Sequence, residues 1–281
     1  MTWQLQDILL AYSAQILLGV VIGGIAMVML VESMVPFRAL SANPLPRWFN
    51  NLALTGLDYA LLFSLAPLLS MLIGEVFGLR GMGLLSLLET DSLAAFLVLF
   101  LCLELMYYWI HRGFHTIPAL WRIHAVHHSD TEVDATTTHR HHPLEPLINT
   151  LLAIPVLLIL GPAPILMLIY NALRTLVAVI SHGNFSFHPA IEQVLRRFVV
   201  TPDFHRQHHR IERHYTDSNY ASVLPLFDHL FGTATQASRV AQLTIPLGLE
   251  YLREPKDARL DRLLILPFLP VFSTLPTGKE A

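Results

Sequence analysis

Long apolar runs, broken by polar stretches, fill the first two-thirds of the chain, and from position 111 onward the polar stretches are crowded with histidine. Ile8–Val31 holds 24 residues without a charge, about 36 Å as a helix and ample for a bilayer core of roughly 30 Å. Met1–Asp7 carries no basic residue, so this run reads as a retained anchor rather than a cleaved signal. Gly19 and Gly23 within it form a small-xxx-small pair that would let another helix approach. A second span is expected over about 52–73, with Asp58 near its start, and a third over about 92–110, with Glu104 near its end. Both acids need a partner or water. Leu147–Leu160 and Ile165–Ser181 flank Gly161, Pro162 and Pro164, which predicts a hairpin over 147–181 that enters the membrane, turns and comes back. Leu263–Phe272, interrupted by Pro267 and Pro270, is too short to cross and reads as interfacial.

The expected fold is therefore an all-α integral membrane protein. About four to five membrane-inserted helices carry a polar helical cap built from 111–146 and 182–262, within a single domain spanning 1–281. Composition agrees: 53% of residues are hydrophobic and 14% charged, against about 25% charged in an average soluble domain, and the mean hydropathy is +0.51. A net charge of -3 with 18 basic residues gives nucleic acid no footprint. With the N-terminus outside, Arg38 and Arg47 fall inside, Arg80 outside and Arg174 within a span, while every other basic residue falls inside. The positive-inside rule thus predicts a cytoplasmic cap.

Histidine changes the picture. None precedes His111, yet the chain has 15, in recurring units: His111 and His115 in HRGFH, His124, His127 and His128 in HAVHH, His205, His208 and His209 in HRQHH. Positions three and four apart share a helix face, so each unit projects its imidazoles from one surface. Eight such groups suffice for two transition-metal ions. The lone cysteine, Cys102, excludes a cysteine-rich zinc site. Glu104 lies seven residues before His111 and would share its face, where it would hold a ligand imidazole through a ring N–H. Asp130, Asp134 and Asp217 are candidates for the same task, with solvation or arginine pairing as the plainer alternative. Tyr107, Tyr108 and Trp109 read as interfacial belt residues that could also line a lipid entrance. No GxGxxG, nucleophile elbow or HExxH occurs.

The segments LELMYYWIHRGFH, LWRIHAVHHSD, HRHHPLE, SHGNF and TPDFHRQHH together resemble the fatty acid hydroxylase superfamily, particularly its bacterial sterol desaturase-like members, over roughly Glu104–Thr233. The resemblance implies a membrane non-haem di-iron enzyme that uses O2 to hydroxylate or desaturate a lipid, with hydroxylation the favoured outcome. It assigns the eight clustered histidines as metal ligands and adds His142, from the RxHPxE pattern, and His182. His139, His141, His188, His214 and His229 gain no such support and are expected to be solvated or interfacial. Asp217, Asn219 and Tyr220 match a DxNYG segment, but Ala221 stands where the family usually has glycine and His229 where arginine is common. No redox domain is visible, so electrons are expected from a separate ferredoxin or cytochrome-type protein docking near Arg196, Arg197, Arg206 and Arg210. A histidine-based metal transporter and an inactive lipid-binding homologue are the competing classes; a transporter would place its ligands inside the spans.

Overall fold

A computed structural model describes residues 3–77, 83–88 and 92–270, leaving out the side chains at 3, 67 and 69–77. Arg80 and the last two residues of Leu263–Phe272 lie outside the described residues. The described chain is helical: α1 Trp3–Ala11, α2 Ser13–Met34, α3 Leu45–Phe77, α4 Leu93–Thr116, α5 Pro118–His128, α6 Leu144–Leu160, α7 Pro164–His182, α8 Pro189–Leu195 and α9 Pro202–His208, followed by shorter turns. The first apolar run is thus two helices broken at Tyr12. Among the described residues three helices, α2, α4 and α7, are long and apolar enough to cross a membrane, and α6 is a shorter apolar helix. The second expected span lies within α3, which runs unbroken for 33 residues and extends beyond it at both ends.

Local chemistry sets the ends. Ser92 accepts from the Ala95 N–H and starts α4; Pro118 opens α5 and Pro164 opens α7, where a missing N–H costs nothing. Gly161 ends α6 with φ 58°, a left-handed cap that only glycine adopts freely. That turn lies against Gly83, where an added Cβ would collide with the Leu160 and Gly161 backbone. At this end Leu85, Leu99, Leu160 and Ile165 form an apolar cluster with Leu9 and Leu10 of α1.

The opposite end is polar and tied together. Arg47, at the start of α3, pairs with Asp130 and Asp134; Arg38 donates to the Gln242 and Ile245 carbonyls. Asp130 and Asp134 are therefore partners of arginine rather than of imidazole. Burial raises the Asp130 pKa, but Arg47 and Arg140 more than offset this and hold it below the ordinary carboxylate value. α2 packs along α7, with Gly24 facing Val179, which a Cβ added at Gly24 would meet at 3.7 Å. Gly19 and Gly23 face open space, so the close approach falls one residue beyond the expected pair. The 260–268 segment folds back over the cap, burying Leu263 and Leu266 against Leu54 and Val126.

Candidate metal centre

Four elements deliver the histidines to one place. α4 ends with His111 and His115 one turn apart, α5 presents His124, His127 and His128, α9 carries His205 and His208 with His209 capping it, and α7 ends at His182. Their rings form two groups. In one, His111, His115, His124, His128 and His208 each offer a nitrogen, all within 4.8 Å of one another; in the other, His127, His182, His205 and His209 do the same.

Carbonyls and carboxylates fix the outer nitrogen of several rings. His111 Nδ1 meets the Tyr220 carbonyl at 2.8 Å, His208 Nδ1 the Ser218 carbonyl at 2.7 Å and His182 Nδ1 the Ala178 carbonyl at 2.7 Å. His115 Nδ1 lies 3.1 Å from Asp217 and His124 Nδ1 2.9 Å from Glu145. An acceptor there makes Nδ1 the protonated atom and leaves Nε2 as a lone-pair donor directed inward. The inner nitrogens crowd together: His182 Nε2 is 3.0 Å from His205 Nε2 and 3.3 Å from His127 Nε2, and His209 Nε2 is 3.2 Å from His205 Nε2.

These residues fit metal ions. Buried polar atoms are normally hydrogen-bonded, yet His115 Nε2, His208 Nε2 and both nitrogens of His128 are buried without a partner. Imidazoles bound to one metal at about 2.0–2.1 Å keep their nitrogens about 3.0–3.4 Å apart, which matches the contacts of the second group. Burial, and then mutual repulsion, push the pKa values of His127, His128, His205, His208 and His209 well below 6.5. They are neutral at pH 7, the state that ligates.

Several expected residues sit elsewhere. His142 turns away: Nε2 faces the Leu264 carbonyl at 3.1 Å and Nδ1 accepts from the Leu144 N–H. Its neighbour His141, expected to be solvated or interfacial, is half-buried and lines the cleft instead, 2.9 Å from Glu145, and joins His124 and Glu145 in a third potential metal-holding group. The available signal was Glu145, four positions on. His139, expected to be solvated, packs edge-on to Tyr59 and lines a cavity; His188, His214 and His229 are exposed. Glu104 holds no imidazole. It accepts from the Tyr170 hydroxyl and from the Val223 and Leu224 N–H groups, each at 2.8 Å, and so anchors the segment whose Tyr220 carbonyl orients His111. Asn219 ties that segment to Phe204 and Thr235. Asn219 itself carries the positive φ, 53°, so Ala221 fits where glycine is usual. Arg206 and Arg210 are buried on Asp203 and Glu212 and offer no docking surface.

Below the histidines lies a cleft of about 120 Å³ lined by His111, His124, His127, His141, His182 and His205 among others. It adjoins a cavity of about 450 Å³ between the helices. The three aromatics at the end of α4 diverge: Tyr107 lines both spaces, Tyr108 is buried on Thr233, and Trp109 is exposed under Arg112.

The chain is 30% identical over 167 residues to an alkylglycerol monooxygenase from Danio rerio, covering 57% of this chain and 35% of that protein. It is 33% identical over 131 residues to a very-long-chain aldehyde decarbonylase from Oryza sativa, covering 46% and 48% respectively. With an ornithine lipid hydroxylase from Rhizobium tropici it shares 32% over 127 residues, covering 45% and 37%. The chain thus spans between a third and a half of the length of these relatives. No solved structure matches it significantly. The fatty acid hydroxylase family model matches residues 96–233, the stretch that supplies every histidine of both groups. It is over that stretch that the chain matches the fatty acid hydroxylase family.

Proposed function

We propose that this chain is a lipid monooxygenase that inserts one atom of O2 into an unactivated C–H bond, using a pair of metal ions, iron in the simplest case. The observation that carries this is the position of the two histidine groups, at the head of a cavity enclosed by membrane helices. Two relatives named as a monooxygenase and a lipid hydroxylase support it. The balance is one C–H, O2, two electrons and two protons giving C–OH and water, with the electrons drawn from a separate redox protein of ferredoxin or cytochrome type. Arg196 and Arg197 remain of the basic surface that would receive that protein.

When bound, the metal pair supplies the redox chemistry that activates oxygen. The chain does the positioning. His111, His115, His124, His128 and His208 would hold one ion, and His127, His182, His205 and His209 the other. Asp217, Glu145 and the three carbonyls keep the rings aimed. The cavity brings one carbon of a bound lipid beneath the imidazoles, so regiochemistry follows from placement. The cap faces the cytoplasm in this proposal, because the basic residues collect on its side.

The test compares total lipids, by mass spectrometry, from cells expressing this chain and cells expressing His127→Ala, together with the iron content of both purified proteins. A lipid one oxygen heavier, made only by the iron-loaded intact chain, is the expected result. Loss of two hydrogens would reassign the chemistry to desaturation. Metal transport into vesicles by a chain that oxidises no lipid would overturn the oxygenase.

A further inference from the structure

The larger cavity is not a plain hydrocarbon slot. Leu17, Leu62, Ile154, Leu157 and Met167 line one part of it, and it shares Tyr107, Thr138, His141, Asn149, Arg174 and Ala178 with the cleft under the histidines. Arg174 therefore stands at the junction, on a helix apolar enough to cross a membrane. Its Nε donates to Ser222 Oγ at 2.9 Å, and its guanidinium lies over Tyr107, 4.0 Å from the ring centre. Neither Nη makes a hydrogen bond to protein among the described residues, where arginine ion pairs are formed by Arg47, Arg206, Arg210 and Arg259. Glu104 is already committed to three donors.

Asp58 is likewise left unsatisfied. It is 5% exposed, lines the same cavity from α3, and its Oδ1 has no partner. The cavity thus presents a cation with two idle nitrogens and an acid with an idle oxygen, not paired with each other. Polar side chains left without hydrogen-bond partners among membrane helices are costly, and a ligand is their usual justification. Stacking on Tyr107 holds the guanidinium flat and pre-aimed.

We propose that Arg174 binds the anionic oxygens of an amphiphilic substrate, a carboxylate or phosphate ester, while Asp58 accepts from a hydroxyl or ammonium on the same head. The apolar chain then runs toward Leu157 and Met167, and the carbon presented to the histidines lies near the polar group rather than deep in the tail. This deepens the oxygenase proposal and rests on it for the carbon attacked; the binding step stands by itself.

The test is calorimetric titration of the full chain, metal-free, in neutral-lipid nanodiscs with palmitate, hexadecanol and acetate, repeated for Arg174→Gln and Arg174→Lys. A charge-assisted bidentate contact predicts about tenfold or greater preference for palmitate over hexadecanol. Arg174→Gln should abolish that preference while leaving hexadecanol binding, and Arg174→Lys should keep part of it. Equal affinity of palmitate and hexadecanol for the wild-type chain, which needs no variant to fold, would overturn the proposal. Acetate binding as tightly as palmitate would make this a free-anion site and overturn it too. Because metal is absent from the titration, either outcome is separate from failure of the oxygenase proposal, which shows in iron content and lipid products.

Discussion

Arg140 decides which of its neighbours reaches the histidine cluster. Its guanidinium is fully buried on the Val126 carbonyl, Asn51 and Ser129. The chain then leaves the short helical turn Ala135–His139 without regular structure before α6 begins. In such a stretch no period relates sequence position to direction. HxxHH units on helices were legible because their spacing is their geometry, whereas HRHH was not: His141 lines the cleft beside Glu145, and His142 faces the Leu264 carbonyl. The consequence can be measured. His142→Ala removes two contacts to backbone groups and should lower stability by about 1 kcal/mol while metal content stays at the wild-type level. His141→Ala leaves Glu145, the partner of His124, short of a neighbour and should weaken metal retention about tenfold or more. Metal analysis after dialysis against a chelator, with thermal unfolding of both variants, separates the two; equal metal loss from both would return His142 to the site.

At the level of elements, apolar runs announced the helices, and Gly161 with its prolines announced the hairpin, since both signals are local. What stayed hidden depends on partners: the break at Tyr12, the extension of α3, and which glycine meets which helix. An apolar membrane helix has little amphipathic contrast, so its contact face is set by packing rather than by water. Gly24 faces Val179, whereas Gly19 meets nothing within 4 Å. Gly24→Leu should therefore push α2 from α7 and cost about 1–3 kcal/mol, while Gly19→Leu should be close to neutral. Thermal unfolding in detergent reports the difference, and equal midpoints would place the contact elsewhere. Because α7 ends at His182, the Gly24→Leu change should also reduce metal affinity in the second group.

Across the whole molecule, the apolar helices and the histidine cap are held together by buried charge: Arg47 on Asp130 and Asp134, Arg140 on Asn51, and Glu32 accepting from the Ala135 and Asn184 N–H groups. Composition predicted that division into base and cap, but not these ties, which join residues far apart in the chain. Metal binding and folding are then linked through the same histidines, and the sign of the pH effect follows. His127, His128, His205, His208 and His209 have folded pKa values well below 6.5, set first by burial. The unfolded chain, with ordinary histidines, binds more protons below about pH 6.5, so acid favours unfolding. Stability is complete above about pH 7 and declines as the pH falls through 6.5, each histidine contributing up to about 1.4 kcal/mol per pH unit. Metal binding adds to the slope, because the ligands must be neutral to coordinate. Thermal midpoints from pH 8 to pH 5, with and without metal, should fall together on acidification and fall more steeply with metal. A midpoint that rises toward pH 5 would mean that the buried rings carry protons in the native state, and the two groups would then not be metal ligands.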